Sequence, residues 1–380
     1  MIAVLATAAF GAPVPADPWT CPEGTRVVGA AWPEGTSASC VDAQDRRQGL
    51  SAEWWPDGTP KSEGPWRDGA KSGDWSTWYE SGSQESRGPY LSDKRHGRWT
   101  WWHETGQRWF VGEYSVSRST GSWTYWHENG NLESEGKFVN GVKYGPWTVY
   151  HPSGVKAGEG LFVAGVRDGP WTLFRDDATI ERSGSYRSGR EVGTWRSFTP
   201  DGALAEVCEW ADGQLEGTCT GFDADGAVVA VSHWAAGKRD GPSTTYWSGG
   251  KVKSEASYVD GRREGVSTEY TIHGVLISRA TWAGDVQHGD FEAFWPDGTP
   301  KYRGRMEFGR EVGHWTTWHE GGARQSEGDY VEGKPDGRWT VWWPNGRVRS
   351  EGDYRLGEKV GTWTKIDEEG LQVTTQEHGR

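Results

Sequence analysis

A glycine recurs every 24 residues along this chain, fourteen times from Gly49 to Gly361, without one insertion or deletion. A fixed period of this length marks a repeat array, in which one supersecondary unit is stacked on copies of itself. Each unit contacts only its neighbours, so such arrays present long surfaces suited to binding and scaffolding. The period therefore constrains architecture strongly and the ligand weakly.

From Gly73 the unit reads Gly-Asp-Trp-Ser-Thr-Trp-Tyr-Glu-Ser-Gly, then Ser-Gln-Glu-Ser-Arg-Gly-Pro-Tyr. Aromatic residues and Thr dominate, and turn residues interrupt them every few positions, which is a strand and hairpin pattern. No segment holds a 3.6-residue period long enough for a helix. Two strands and two tight turns fill the repeat. One turn reads Trp55-Pro56-Asp57-Gly58, His127-Glu128-Asn129-Gly130 or Trp343-Pro344-Asn345-Gly346. This predicts a type I turn closed by a left-handed glycine bulge. Only Ala178 departs from that glycine.

The register follows from covariation inside the chain. Eleven residues before each Trp of one column stands a glycine: Gly64 before Trp75, Gly88 before Trp99, Gly136 before Trp147, Gly352 before Trp363. Where the Trp is lost the glycine is lost with it, as in Cys208 with Cys219, Ser232 with Ser243 and Ala256 with Ser267. An indole lying over a bare backbone on the neighbouring strand explains this, because a Cβ fits only when the ring is absent. The same register would set a second ring column (Trp66, Tyr90, Phe138, Phe162 and so on) opposite the invariant glycine of its own hairpin. A third ring column, from Trp54 and Trp78 to Trp342, lies three residues after the first. Strict alternation puts it on the opposite face; a bulge would bring it back, and the residues leave both open.

The pattern Gly-x-Trp-x-x-[Trp/Tyr/Phe]-x-x-x-Gly, followed by x-Gly-x-Tyr-x-x-Gly, resembles the MORN repeat, and most closely its tandem bacterial, antitoxin-like variant. The resemblance covers residues 49–370. It implies an all-β, elongated, single-layer antiparallel sheet of tandem β-hairpins. It also implies scaffolding, lipid association or partner binding, and it brings no catalytic residues. The departure lies between Gly217 and Phe291, where the first Trp column fails.

Composition narrows the function further. The chain carries 54 acidic and 41 basic residues, a net charge of −13, with no basic cluster. Nucleic-acid binding needs a cationic footprint and is set aside. Disordered acidic chains are poor in aromatics, whereas this one holds 27 Trp and folds. Residues 1–16 resemble the apolar and cleavage regions of a secretory signal, without a basic region before them. Residues 17–48 read as an N-terminal cap, 49–370 as about fourteen repeats, and 371–380 as a tail. Cys208 and Cys219 hold paired columns and are expected to form a disulfide, leaving Cys21 with Cys40. Disulfides belong to oxidising compartments, so an extracytoplasmic location is expected.

Nineteen of the 27 Trp fall in the three ring columns, so the excess around residues 99–110 stands out. Trp101, Trp102, His103, Trp109 and Phe110, with Trp126 and His127 of the next repeat, form the candidate binding cluster, since exposed aromatic patches often mark sites. The column containing His103, His127 and His151 invites a metal reading. Its members lie two strands apart, roughly 9–10 Å, too far to share one zinc ion with nitrogens at about 2 Å. Asp223-Ala-Asp225-Gly226 lacks the later ligands of a calcium loop and reads as a turn. There is no nucleophile elbow, phosphate loop or cofactor motif. The expectation is a non-enzymatic scaffold or neutralising partner that binds a protein, with an envelope glycan or lipid as the alternative ligand.

Overall fold

The computed structural model describes residues 20–379; the leader expected over residues 1–16 lies outside the described residues. The chain forms two compact units, Met1–Thr179 and Ile180–Arg380. Both are all-β. In the first unit the strands run from Arg26–Ala30, Ser37–Val41 and Arg47–Trp54 to Val142–Tyr150, Lys156–Val163 and Val166–Phe174. In the second they run from Ile180–Arg187 to Glu358–Ile366 and Val373–His378. Within each unit, strands pair antiparallel with the strands before and after them, as tandem hairpins. No helix occurs among the described residues, and none is therefore long and apolar enough to cross a membrane.

The repeat geometry extends into both flanks. In the cap, Cys40 sits at the glycine position and Ser51 at the Trp position, one period before Gly64 and Trp75. Cys40 is buried and bonded to Cys21, with Cα atoms 5.6 Å apart. At the other end the segment read as a tail is part of the sheet: Gln376 lies opposite Trp363, and His378 opposite Gly361.

Both turns follow local chemistry. In the first, the Gly58 amide donates to the Trp55 carbonyl (2.9 Å) and Gly58 has φ +90°. This is the expected type I turn with a left-handed closing residue, and Ala178 adopts the same conformation at φ +69°. The second is a two-residue hairpin. Val139 pairs with Val142, while Asn140 and Gly141 have φ +50° and +87°. Positive φ at both central residues defines a type I′ turn, for which Asn-Gly is the favoured pair. Val116 and Ser117 occupy that turn at +51° and +64°, and a β-branched residue is strained there. Val116→Asn with Ser117→Gly should therefore stabilise the protein by about 1 kcal/mol, read as a raised denaturant midpoint; an unchanged midpoint would refute the strain.

The invariant glycine has a different cause from the one its column suggested. The register slips by two residues beside it: Gly136 pairs with Trp147, yet Lys137 pairs with Tyr144 and Phe138 with Lys143. The second ring column therefore faces a different column within its own hairpin, one that holds Lys71, Arg95, Lys143, Arg167 and Lys359 but also Ser119, Glu191 and Leu215. It meets the invariant glycine of the preceding repeat instead, as in Phe138 with Gly121 and Tyr90 with Gly73. All fourteen stations have φ between +64° and +124°. The glycine is required by a left-handed bulge, not by a ring above it in the same hairpin.

The indole-over-glycine pairing is present throughout. A Cβ placed on Gly64, Gly88, Gly136, Gly160, Gly184 or Gly352 would lie 2.2–2.4 Å from the ring of the Trp eleven residues later. Those indoles are 1–3 % exposed. Their Nε1–H groups donate to the carbonyl ten residues earlier, as from Trp147 to Lys137 (3.2 Å) and from Trp171 to Leu161 (2.9 Å). The second ring column fills the gaps edge-on. Trp66, Trp75, Tyr90 and Trp99 form one such run, with centroids 5.0–6.2 Å apart. Trp315, Tyr330, Trp339, Tyr354 and Trp363 form another. Each edge-to-face pair contributes about 0.5–1.5 kcal/mol beyond area burial.

Cations close this face. Lys71 Nζ lies 4.0 Å from the Trp75 ring centre, Lys143 4.1 Å from Trp147, and Lys359 4.0 Å from Trp363. Burial against the rings pushes the Lys71 and Lys143 ammonium groups below the usual lysine value. In three of the four hairpins that lose the first-column Trp, the second column holds an indole, at Trp210, Trp234 and Trp282, and in the fourth it holds Tyr258. Trp234 Nε1 donates to Ser232 Oγ (2.8 Å) and Trp282 Nε1 to Ser267 Oγ (2.7 Å). Cys208 and Cys219 are register partners, joined by a disulfide with Cα atoms 4.0 Å apart. This surface is the indole face.

Candidate functional site

The sequence-derived cluster divides among three places. Trp101 and Phe110 lie on the indole face as register partners. Trp99, Trp101, Phe110, Trp123 and Tyr125 form a continuous stack, with successive centroids 4.5–5.9 Å apart and planes within 27°. Among the described residues, three other repeats fill the positions of Trp101 and Phe110 with a bonded hydroxyl pair: Thr77 with Ser86 (2.7 Å), Thr245 with Ser254 (2.6 Å) and Thr317 with Ser326 (2.8 Å). Arg95 covers the stack, 5.1 Å from Trp101, and donates to Tyr114 Oη. Burial raises the Tyr125 phenol pKa, helped by Tyr114 and Glu133. These two off-column rings are thus part of the closed face.

His103 and His127 stand at the turn edge. His103 Nε2 meets the Trp126 carbonyl (3.2 Å), His127 Nε2 the Tyr150 carbonyl (3.1 Å), and His151 Nε2 the Phe174 carbonyl (2.9 Å). A carbonyl only accepts, so each Nε2 carries the proton. Tyr79 Oη and the Nε1 groups of Trp55, Trp247 and Trp343 donate to the corresponding carbonyls in their own next repeats. The column is a set of ring donors joining successive repeats. Six residues after each Trp in it stands a cation over the ring: Lys61, Lys253, Lys301 and Arg349, at 4.4–4.7 Å. Trp109 fills that place beside His103, with centroids 5.7 Å apart, and is 43 % exposed. His127→Phe should cost about 1 kcal/mol by leaving the Tyr150 carbonyl without its donor. His127→Trp should restore the loss in thermal unfolding; equal loss in both would show that the hydrogen bond is immaterial.

Trp102 and Trp126 lie on the opposite face, so the third ring column obeys strict alternation and both faces carry rings. Between them runs an open groove of about 540 Å³, lined by Arg98, Thr100, Arg108, Val111, Glu113 and Thr124 as well as the two indoles. The Arg108 guanidinium lies 5.9 Å from the Trp126 ring centre. A row of hydroxyls, Ser76, Thr100, Thr124, Thr148 and Thr172, runs along this threonine face in the first unit. Charged residues sit between them, as Glu135 opposite Thr124 and Thr148.

Reading the sequence for rings missed the groove's polar members. The signal was a column that reads Glu63, Arg87, Glu135 and Glu159 in the first unit and is interrupted there by Val111. In the second unit Glu206, Cys208 and Cys219 place ligand-type atoms within 4.8 Å of one another. The two sulfurs there are bonded to each other, which removes them as thiolate ligands.

Four stretches, residues 95–115, 119–140, 239–260 and 335–355, match the family profile of the MORN repeat variant. No curated protein matches the chain. Among solved structures, TcdB2-TccC3-TEV aligns over 89 % of this chain at 11 % identity with a TM-score of 0.17. TcdB2-TccC3-Cdc42 aligns over 90 % at 9 % identity and 0.13, and the Photorhabdus luminescens Tc holotoxin pore over 87 % at 9 % and 0.13. The chain spans only 20 %, 24 % and 23 % of those three chains, and likeness at these TM-scores carries no argument. The repeat profile is matched in both units, and the same columns run through the repeats between the matched stretches, so the chain is a MORN-repeat protein.

Proposed function

We propose that the chain is a non-catalytic scaffold that binds a partner protein across its threonine face, in an oxidising, extracytoplasmic compartment. One observation carries this reading. The indole face is closed by its own rings, glycines and cations, whereas the threonine face leaves hydroxyls, charges and half-buried rings uncovered beside a groove. Arg98, Arg108, Glu113, Thr100 and Thr124 are recognition groups, and Trp with Arg is the pairing enriched at binding hot spots. The two disulfides support the compartment. A neutralising, antitoxin-like role is one form such binding could take, and a glycan or lipid is the competing ligand class.

The test is cross-linked capture from the source cell with wild type and with Thr148→Arg plus Thr172→Arg, which block the threonine face without touching the indole face. Loss of specific partners by the variant, with its circular dichroism unchanged, is the expected result. Equal capture by both would overturn the reading, as would capture of glycan or lipid alone.

A further inference from the structure

The groove between Trp102 and Trp126 differs from the rest of the threonine face in one chemical respect. Two strand positions on this face carry cations in some repeats, those of Arg98 and Arg108. Wherever an arginine or lysine occupies either position in another repeat, a glutamate in the Val111 column pairs with it. Lys156, at the Arg108 position, meets Glu159 at 2.8 Å. Arg324, at the same position, meets Glu327 at 2.9 Å. Arg338, at the Arg98 position, meets Glu351 at 3.0 Å and Asp353 at 3.8 Å.

In the groove both cation positions are filled and the glutamate is replaced by Val111, which is 9 % exposed. Arg98 is the register partner of Glu113. Even so, among the described residues no carboxylate lies within 4.0 Å of Arg98 or Arg108. Elsewhere, valine in this column comes without cations: Val207 has Thr194 and Leu204 at the two positions, and Val231 has Thr218 and Val228. The repeat around Val111 thus keeps two guanidinium groups and lacks the carboxylate that answers them elsewhere. The space that carboxylate would fill is open, floored by an apolar side chain and walled by two indoles.

We propose that this groove takes the carboxylate of an aspartate or glutamate side chain on a partner polypeptide, flanked by apolar residues that lie against Trp102 and Trp126. Guanidinium groups bind carboxylates through paired, charge-assisted hydrogen bonds. The surroundings favour a single carboxylate over a polyanion. Screening limits charge effects to about 8 Å at physiological salt, so the net charge of −13 does not cancel the groove. A uronate polymer running along the face would meet Glu135 and Glu159 in the next repeats, whereas one acidic side chain on a polypeptide would not. The inference rests on the scaffold reading and names the chemistry of its contact.

The experiment pans short random peptides displayed on phage against the full chain, then measures selected peptides in solution. Val111→Glu is the decisive variant. It supplies internally the residue that Glu135 and Glu159 already supply in their repeats, so it is expected to fold, and it places a carboxylate beside the two guanidinium groups. Arg98→Gln with Arg108→Gln removes them by another route. The proposal expects selected peptides to share an Asp or Glu beside an apolar residue. It expects about tenfold or greater loss of affinity, the effect of one charge-assisted contact, from Glu→Gln in the peptide and from either protein variant. Carboxylate-free peptides, or peptides indifferent to Val111→Glu, would overturn it. So would oligogalacturonate binding that is lost in Val111→Glu while no peptide is selected. Peptides lost with Thr148→Arg plus Thr172→Arg but kept by Val111→Glu would leave the scaffold reading standing and refute this one; indifference to both would refute both.

Discussion

Gly136→Val is expected to destabilise the first unit by roughly 3 kcal/mol, the upper range for overpacking a close contact. The Cβ position lies 2.3 Å from Cδ2 and Cε2 of Trp147, and that ring is 1 % exposed with its Nε1–H committed to the Lys137 carbonyl. The ring therefore has nowhere to move without giving up its hydrogen bond and its edge contact with Phe138 at 5.4 Å. Trp147→Ser alone should also cost several kcal/mol, as large-to-small changes at buried aromatics do. The double variant should be less damaged than the sum, because the chain already holds Ser232 opposite Ser243 in the same two columns. Urea denaturation of the four proteins measures the coupling. Additive losses would mean that the two side chains do not meet.

The second large effect concerns the one repeat in which a disulfide replaces the ring and glycine. Cys208→Ser with Cys219→Ser should lose about 3 kcal/mol under oxidising conditions, the scale expected for releasing a short loop. Cys208→Gly with Cys219→Trp should recover most of that loss and make stability independent of reductant. The indole would lie over the new glycine, with Ser232 on its other side. That neighbourhood has a precedent in Trp195, which sits opposite Cys208 and is 1 % exposed. Thermal melts with and without reductant decide the matter. A Gly/Trp variant no more stable than the Ser/Ser variant would show that the column pair needs more context than its two members.

What the sequence made legible, and what it concealed, follows from how each constraint acts. The Gly136–Trp147 relation could be read because the chain carries its own controls, in Cys208 with Cys219 and Ser232 with Ser243. A contact leaves covariation. The invariant glycine leaves none, since a positive φ and an overlying ring both demand the same residue. Gly121 alone could not reveal that its left-handed bulge slips the register and places Phe138 opposite it from the next repeat. The third ring column was ambiguous for a related reason. Trp102 lies an odd number of residues from Trp99, and only the register shows that the bulge at Gly97 precedes both rings and that the shift beside Trp102 inserts its extra residue, Trp109, on the facing strand. At the candidate site, counting rings drew Trp101, Phe110, His103 and His127 together with Trp102 and Trp126. A strand alternates and a turn projects sideways, so rings adjacent in sequence went to two faces and an edge. Val111 was visible as a departure from a charged column. Its meaning depended on knowing that Arg98 and Arg108 share its face.

The central claim is that one face is closed around its own indoles while the other is left open for a ligand. Hydroxyl-radical footprinting read by peptide mass spectrometry tests it residue by residue in the free protein. Trp123, Trp147 and Trp171, 1–3 % exposed, should resist oxidation. Trp102 and Trp126 should be modified, at rates approaching that of Trp109, which is 43 % exposed. Oxidation of the first-column indoles at the same rate as Trp102 and Trp126, or protection of Trp102 and Trp126 in their place, would contradict the account.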